Sequence, residues 1–458
     1  MRHRTIGARF VFGFLLTVVT FTACGTDNST DPGTRPTLSS AVSTGLADTV
    51  RLLAIGRQIG PLPSPAPVRP ALVALGQALA FDKILSGNRD ISCMTCHLPA
   101  LGMGDDRSLS IGQGGAGLGP RRSHPQGLFI PRNAPALFNL TSLKTLFLDG
   151  RVSTDSLGGF HTDAGAKLTP AMASVFEFGP VSALPLFPVL SREEMRAFTG
   201  NELAAIPDEK MGAIWAAIMT RLGAIPEYRQ MFQAAYPGTP FDKMSFAHAS
   251  NAIAGFLVAR MNFNNSAWDR FLAGNNSALT NEQLVGAKDF MSLKCSICHN
   301  GAAFTDNQFH NVAVAQLGPG KGDGTGLNDD FGRFRVVDKP LMKFAFRTPP
   351  LRNIELTGPY GHDGAIIQLR DFIAHYSESD LKLRAYDPSQ LEPLLRPTLL
   401  ANVDAILATR DSIIFGVVIP DSIVDHLTTF MTALTDDPKH HPSVVPLRVP
   451  SGLPVDHP

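Results

Sequence analysis

Two copies of the pattern Cys-x-x-Cys-His constrain this chain more than any other feature. The copies are Cys93-Met94-Thr95-Cys96-His97 and Cys295-Ser296-Ile297-Cys298-His299. The pattern is the attachment signature of c-type haem: the thiols form thioethers with the haem vinyl groups, and the adjacent histidine supplies the proximal iron ligand. A zinc ribbon brings its halves much closer together and needs no histidine after each pair. We therefore predict two covalently bound haems, with His97 and His299 as proximal ligands.

The fifth cysteine, Cys24, closes an N-terminal segment typical of an exported protein. The chain begins with basic residues and continues as an apolar run that is too short to span a bilayer comfortably. Small residues before Cys24 resemble a bacterial lipoprotein processing site, although Phe21 stands where leucine is usual. We predict a signal peptide over residues 1–23, lipidation at Cys24 and a flexible tether over residues 24–45. Ordinary signal cleavage and an uncleaved anchor are the alternatives, and each places the folded body on the periplasmic side.

Charge and hydropathy patterns exclude two other classes of protein. Forty basic residues balance forty acidic ones, so no charge excess points to nucleic acid. After the leader no stretch reads as a transmembrane helix, so contact with the membrane is expected through the N-terminal lipid only.

Helical spacing predicts a mainly α fold. Apolar residues at this spacing predict a helix over residues 71–81 that leads into the first motif. Ser245 is placed to cap another helix, and Thr280 with Gln283 forms a capping box before the second motif. Strand signals are few, and the intervening loops are long and rich in glycine and proline. This combination is typical of cytochrome c folds, in which haem replaces part of the apolar core.

The halves of the chain follow the same plan, which predicts two cytochrome c-type domains, each built around one covalent haem. We place the N-terminal domain at residues 46–240 and the C-terminal domain at residues 241–435. Residues 436–458 hold several prolines and little periodicity and are predicted to be a surface tail.

Two glycine-rich stretches, residues 112–119 and 318–326, superficially suggest phosphate binding. No apolar strand precedes the first stretch, and Pro120 follows it at once. The second contains Lys321 but lacks the Gly-Lys-Ser/Thr ending of a P-loop. We interpret both as mobile loops near a haem.

Several blocks around the motifs resemble the bacterial di-haem cytochrome c peroxidase and MauG family, from about residue 75 to residue 376. The blocks are Leu85-Ser86, Arg132-Asn133-Ala134-Pro135, Phe147-Leu148-Asp149-Gly150-Arg151, Glu194-Met195, Phe304-Thr305-Asp306, Leu351-Arg352-Asn353 and Pro359-Tyr360-Gly361-His362-Asp363-Gly364. The resemblance implies a peroxidatic haem in the N-terminal domain and an electron-transfer haem in the C-terminal domain.

The resemblance also implies ligands on the distal side of each haem. Family peroxidases place a methionine on the second haem where this chain has Tyr376, and MauG-like members have tyrosine there. His375 is the neighbouring alternative. Glu194 is the implied acid-base group at the first haem, with Glu193 one position away. Since Gln113 stands where some members have a loop histidine, we expect an open sixth site on the first haem, with His124 as a rival ligand.

Further residues match family positions for a calcium ion and for haem contacts. Asn133, Thr357 and Pro359 match the calcium site at the domain junction, and such oxygen ligands suit this hard cation. Arg352 and His362 are implied to lie near the second haem and to hold propionates. Two departures stand out: Leu148 replaces an inter-haem tryptophan, and the family's distal glutamine has no counterpart near Leu184.

The resulting functional hypothesis is a di-haem peroxidase that reduces hydrogen peroxide to water. Electrons would come from a small redox protein, either a cytochrome c or a cupredoxin. One alternative is MauG-like oxidation of a protein or organic substrate, which Tyr376 favours and Leu148 does not. The other is a non-catalytic electron carrier with both irons six-coordinate. A homodimer is left open.

Overall fold

The computed structural model describes residues 45–436 and 444–457. The predicted signal peptide, Cys24 and nearly all of the predicted tether lie outside these residues. Within them the fold is mainly helical, as predicted. The α-helices are α1 (Leu46–Gly56), α2 (Pro70–Phe81), α3 (Cys93–Cys96), α4 (Pro170–Ala173), α5 (Pro180–Ala183), α6 (Met211–Gly223), α7 (Pro226–Ala235), α8 (Phe246–Arg260), α9 (Ala267–Leu272), α10 (Asn281–Ser292), α11 (Cys295–Cys298), α12 (Phe334–Val337), α13 (Leu369–His375), α14 (Ser379–Arg384), α15 (Val403–Ala408) and α16 (Asp421–Thr432).

Short strands form two small antiparallel sheets. The strands are β1 (Thr145–Leu146), β2 (Val152–Thr154), β3 (Phe160–His161), β4 (Phe309–His310) and β5 (Phe346–Arg347). The first sheet has the order β1-β2-β3, and β4 pairs with β5 in the second. In the first sheet Ser153 lies opposite both Thr145 and His161, and in the second Phe309 lies opposite Arg347.

The first hydrophobic core forms where α2 crosses α8. Leu72, Leu75 and Leu79 of α2 are fully buried, as their helical spacing predicts. Gly76 lies at the crossing, where a Cβ atom would stand 1.8 Å from the carbonyl oxygen of Ala252. Only glycine permits so close an approach of the two backbones.

The second core repeats this arrangement with α10, α16 and α1. The predicted capping box begins α10, since the Gln283 main-chain N–H donates to Thr280 Oγ1 over 3.2 Å and the Thr280 N–H donates to Gln283 Oε1 over 3.0 Å. Gly286 of α10 marks the crossing with α16, because a Cβ atom there would stand 2.0 Å from the carbonyl oxygen of His426. Each haem motif therefore follows a helix that is anchored by a glycine crossing.

The two cores do not divide the chain at residue 240, which differs from the predicted boundary. Helix α8, assigned by sequence to the C-terminal domain, packs in the first core, and α1, assigned to the N-terminal domain, packs in the second. The physical reason is that α2 and α10 each need another helix to cover their apolar faces. Helix α8 covers α2, and α16 and α1 cover α10, although other helices lie closer in sequence.

The C-terminal segment also differs from the predicted surface tail. Val444 and Val449 are buried against the first core, and Gln77 Nε2 donates to the Val444 carbonyl over 2.7 Å. Asp456 pairs with Lys83 over 2.6 Å and accepts from Thr95 Oγ1 over 2.5 Å. Apolar anchors and one carboxylate thus fix residues 444–457 beside the first Cys-x-x-Cys-His motif.

Among the described residues, none of the helices combines the length and the apolar character that crossing a bilayer requires.

Candidate functional site

Both Cys-x-x-Cys-His motifs open onto one internal cavity of about 690 Å³. Its wall is mostly apolar, with charged groups at a few points. The motif residues on the wall are Cys93, Cys96, His97, Cys295, Cys298 and His299. Helices α3 and α11 each place their two cysteines three residues apart, on one face of a single turn. The described cysteines are all free thiols, so all four remain for thioether bonds.

The two motif histidines are oriented in the same way. His97 Nδ1 lies 3.1 Å from the carbonyl oxygen of Met103, and His299 Nδ1 lies 3.0 Å from that of Phe304. A proton on Nδ1 makes each hydrogen bond, which leaves the lone pair of Nε2 free to bind a metal ion. Burial lowers the pKa of both imidazoles, and the neutral ring is the form that binds iron. These positions fit a proximal histidine on each haem.

On the side of the first motif, Glu194 lines the cavity and Glu193 does not. Ser191 begins a wide π-type turn over Arg192–Arg196, and its Oγ accepts from the Glu194 N–H over 3.2 Å. The turn leaves Glu193 exposed and directs Glu194 to the cavity wall. Burial raises the pKa of Glu194, against the opposing influence of Arg151 and Lys321. A carboxyl group in this setting can exchange a proton with a ligand in the cavity.

On the side of the second motif, Tyr376 lines the cavity and His375 does not. His375 is occupied elsewhere, since its Nε2 lies 2.9 Å from the Val312 carbonyl oxygen. The Tyr376 ring packs edge-on against Phe372 with centroids 5.7 Å apart. Burial is the first cause that raises the pKa of Tyr376, so the phenol is neutral until a metal ion binds it. The geometry favours Tyr376 over His375 as a ligand.

Arg352 and His362 both lie on the wall, as the family blocks imply. Arg352 Nη1 is paired with Asp269 over 2.7 Å, while its Nη2 is buried without a partner among the described residues. A propionate would satisfy that orphaned donor. His362 stacks on Phe346 with centroids 4.0 Å apart, and burial lowers its pKa to about 4.

The cavity wall holds further cations for which the sequence motifs assigned no role. They are Arg132, Arg151, Lys294, Lys321 and Arg347. Arg132 pairs with Asp149 over 2.7 Å and with Asp330 over 2.6 Å. Arg347 is buried without an ion pair among the described residues, and burial lowers its pKa to about 10. Arg132 and Arg151 lie within the sequence blocks that resemble the family. That resemblance was the sequence signal that could have identified them. Cations in a largely apolar cavity suit the carboxylate groups of haem.

His310 is a second residue that sequence reasoning missed. It lies on the cavity wall beside Cys298, with Nε2 3.1 Å from Asp306 and Nδ1 2.5 Å from Asp411. The bond to Asp306 is the first cause that raises its pKa to about 11. The two carboxylates thus favour the protonated imidazole beside the second motif.

The residues matched to the calcium position also lie together on the wall. Asn133 Nδ2 donates to the Arg107 carbonyl over 2.8 Å, which leaves Oδ1 as a ligand atom. Thr357 Oγ1 donates to the Ile354 carbonyl over 3.1 Å, and Pro359 follows a cis peptide bond. The available atoms are oxygens, the class of ligand that calcium prefers.

Neither Gln113 nor the rival ligand His124 lies on the cavity wall. Gln113 Oε1 accepts from Asn88 Nδ2 over 2.7 Å, and His124 Nδ1 accepts from the Gln126 N–H over 3.0 Å. Their loop is fixed by the buried Arg122, whose guanidinium donates to three main-chain carbonyl groups. The arrangement agrees with an open sixth position on the first haem.

Comparison with known proteins places this geometry in context. A family model described as di-haem cytochrome c peroxidase matches residues 70–277. The chain is 29% identical over 317 residues to the methylamine utilization protein MauG of Methylorubrum extorquens, covering 69% of this chain and 71% of that protein. It is 29% identical over 310 residues to cytochrome c551 peroxidase of Pseudomonas aeruginosa, covering 67% and 72%. The diheme peroxidase BthA of Burkholderia thailandensis aligns with a TM-score of 0.58 and 18% identity over 87% of this chain and 96% of that chain, a likeness in fold alone.

Proposed function

Because this chain belongs to the di-haem cytochrome c peroxidase and MauG family, a family of oxidoreductases, we propose that it reduces hydrogen peroxide to water at the His97 haem. The observation that carries the proposal is Glu194, a half-buried carboxyl group with a raised pKa on the wall of the cavity that His97 also lines. Cleavage of the O–O bond requires a proton to move from one peroxide oxygen to the other, and a carboxylate at this place performs that transfer.

The chain's own groups divide the work between the two motifs. When bound, the haems would supply iron that binds peroxide and carries electrons. His97 would hold the first iron, while Glu194 receives and returns the proton. His299 and Tyr376 would hold the second iron. A phenolate is an anionic ligand and stabilises the ferric state.

Electrons are proposed to enter at the second haem from a small redox protein, a cytochrome c or a cupredoxin. Ile297, in the middle of the second motif, is 45% exposed, whereas Met94 at the matching position of the first motif is 1% exposed. Exposed Leu293 lies two residues before the second motif and also reaches the cavity wall. The second motif is thus the accessible edge for electron exchange.

A MauG-like oxidation of a protein or organic substrate is the second candidate, and Tyr376 on the cavity wall favours it. A phenolate ligand disfavours reduction of the iron in the second haem. This property suits a site that stores oxidising equivalents. Leu148 on the same wall provides no aromatic relay at the position where the family has one.

The test compares two adjacent glutamates. Glu194→Gln should slow the bimolecular reaction with hydrogen peroxide by about 10²–10⁴-fold, the usual contribution of general acid-base catalysis. Glu193→Gln is the matched control, because Glu193 is exposed on the same turn and should react like wild type. Stopped-flow spectra of resting and half-reduced protein, with and without peroxide, supply the rates together with the spin and ligation state.

The outcomes separate the hypotheses. If Glu194→Gln and wild type react with peroxide at equal rates, Glu194 has a structural role and not a catalytic one. A wild-type protein that fails to react in any redox state would leave the electron carrier as the function. Reaction with peroxide but no turnover with reduced cytochrome c or cupredoxin would favour the MauG-like activity.

The proposal also includes the cellular location of the protein and a bound calcium ion. The leader and Cys24 support an exported protein held at the membrane by lipid. Asn133, Thr357 and Pro359 support one calcium ion. Fatty-acid labelling that disappears in Cys24→Ser, and metal analysis of the purified protein, test these two points.

A further inference from the structure

The glycine-rich loop over residues 318–326 brings Lys321 to the cavity wall that also holds Glu194. The loop is held firmly, in contrast to the mobility expected from its composition. The Lys321 N–H donates to the Asp329 carbonyl over 2.9 Å, and Arg335 Nη1 donates to the Lys321 carbonyl over 2.8 Å. Gly320 adopts a positive φ of 61°, and a Cβ atom there would stand 1.8 Å from the Asn328 carbonyl oxygen. The backbone of Lys321 is therefore fixed at the site.

Lys321 differs from the arginines around it in having no carboxylate partner. Arg151 is bonded to Asp149 over 3.1 Å and to Asp163 over 3.3 Å. Arg132 is likewise bonded to Asp149 and to Asp330. Within residues 45–436 and 444–457, no ion pair to the Lys321 ammonium group is found. Its charge is thus available to whatever enters the cavity.

Glu194 is faced by Arg151, Lys321 and Glu193, and Lys321 is faced by Arg132, Arg151, Glu194 and Asp330. Burial lowers the pKa of Lys321, with the neighbouring arginines as further causes. Arg151 and Lys321 both offer side-chain donors that face Glu194, and Lys321 is the one of the two that has no carboxylate partner among the described residues.

We propose that Lys321 is the charged partner of Glu194 in the peroxide pocket: its ammonium group keeps Glu194 ionised as proton acceptor and donates a hydrogen bond to the oxygen that departs as water. This role rests on the proposed peroxidase function. Glu194 takes the proton of the iron-side oxygen and delivers it to the outer oxygen, the O–O bond breaks, and the outer oxygen leaves as water. The other oxygen leaves as a second water after taking two electrons from the redox protein and two protons from solvent.

The experiment uses the full di-haem protein and three variants. Lys321→Gln removes the charge, Lys321→Arg restores it, and Lys339→Gln is the control because Lys339 is exposed in the same half of the chain. The first measurement is the affinity of the resting ferric protein for fluoride, read from its absorption spectrum without turnover. Loss of one charged donor should weaken fluoride binding about 10–100-fold, the range that corresponds to 1.5–3 kcal/mol. Lys321→Arg should retain most of the affinity.

The second measurement is the pH profile of the bimolecular reaction with peroxide. Removing the cation raises the pKa of Glu194 further, so the acid limb of the Lys321→Gln profile should move to higher pH. In the Glu194→Gln background the acid limb is absent, and a further Lys321→Gln substitution should slow the reaction with peroxide much less than it does alone.

Each result decides the proposal. Unchanged fluoride affinity and an unchanged acid limb in Lys321→Gln would overturn it. Unchanged fluoride affinity with a shifted haem reduction potential or lost haem would also overturn it, because Lys321 would then be a propionate ligand. If fluoride affinity depends on Lys321 but the wild type does not react with peroxide, the peroxidase function falls and the place of Lys321 in the ligand pocket stands.

Discussion

The two haem motifs are built alike but are covered differently. Each follows a helix fixed at a glycine crossing, and each histidine donates from Nδ1 to a main-chain carbonyl. Around the first motif, residues 444–457 lie across the attachment turn, and Asp456 bonds to Thr95 within it. Around the second, Ile297 is 45% exposed. The same attachment chemistry thus serves an enclosed site and an accessible one.

The cavity lining extends this contrast. The first motif shares its side of the cavity with ionisable groups, among them Glu194, Arg151 and Lys321. The second faces Tyr376 on a helix whose other cavity residues are apolar, Leu369, Phe372 and Ile373. Proton transfer needs the first environment, and a haem that exchanges only electrons is better served by the second. The side chains of His310 and Arg352 beside the second motif are also ionisable, and each is paired with a carboxylate. The contrast therefore lies in Glu194, on which the proposed division between chemistry and electron supply rests.

The largest expected effect comes from removing one proximal histidine at a time. His97→Gly should abolish the reaction with peroxide, because the reacting iron loses its ligand. His299→Gly should leave that reaction measurable but stop turnover with a reduced redox protein. Stopped-flow mixing with peroxide and steady-state turnover distinguish the two, after intact mass confirms both haems. Equal losses in both assays for both variants would contradict the division of labour.

A change at Tyr376 should affect the second haem alone. Tyr376→Phe removes the proposed anionic ligand, so the spectrum of that haem should change and its reduction potential should rise by about 0.1 V, within the ~0.8 V range that axial ligands set. Spectroelectrochemistry measures both haems. Tyr386→Phe is the control, since the Tyr386 hydroxyl donates to the Ala365 carbonyl instead. An unchanged second haem would make Tyr376 a core residue.

The two glycine crossings allow a matched test of stability. Gly76→Ala and Gly286→Ala should each lower the free energy of unfolding by about 3 kcal/mol, since a Cβ atom would overlap a main-chain oxygen of the partner helix. Gly212→Ala in α6 is the control, because a Cβ atom there contacts nothing within 4 Å. Denaturant unfolding provides the values. If only one crossing variant loses stability, the halves are not built alike.

The smallest effect is expected at the C-terminal segment. Asp456→Asn removes the ion pair with the largely buried Lys83 and should cost about 1 kcal/mol. Hydrogen exchange should quicken over residues 83–97 and stay unchanged around the second motif. Glu227→Gln breaks an exposed pair with Arg448 of the same segment and should leave exchange as in wild type. Faster exchange at both motifs would mean that the segment does not distinguish them.

Local patterns were enough to predict a good part of this molecule. The helix ending at Phe81, the capping box at Thr280 and the helix that follows Ser245 are confirmed. The family, which the quoted blocks predicted, is confirmed by the comparisons. Such features depend on residues within a few positions of one another, so the chain itself contains all the information that they require.

What the sequence left open depended on contacts between distant residues. It could not separate Glu194 from Glu193 or Tyr376 from His375, because adjacent side chains differ only in which way the backbone turns them. It did not predict that α8 packs with α2, or that Asp456 reaches Thr95, since both contacts join segments more than 150 residues apart. It assigned no role to Lys321, whose neighbour Glu194 lies in the other half of the chain. The sequence by itself predicted the haem attachment points and the proximal ligands, because a covalent motif is local. Only the tertiary structure decided which charged groups share the cavity with them, because burial and charge pairing arise when distant segments pack together.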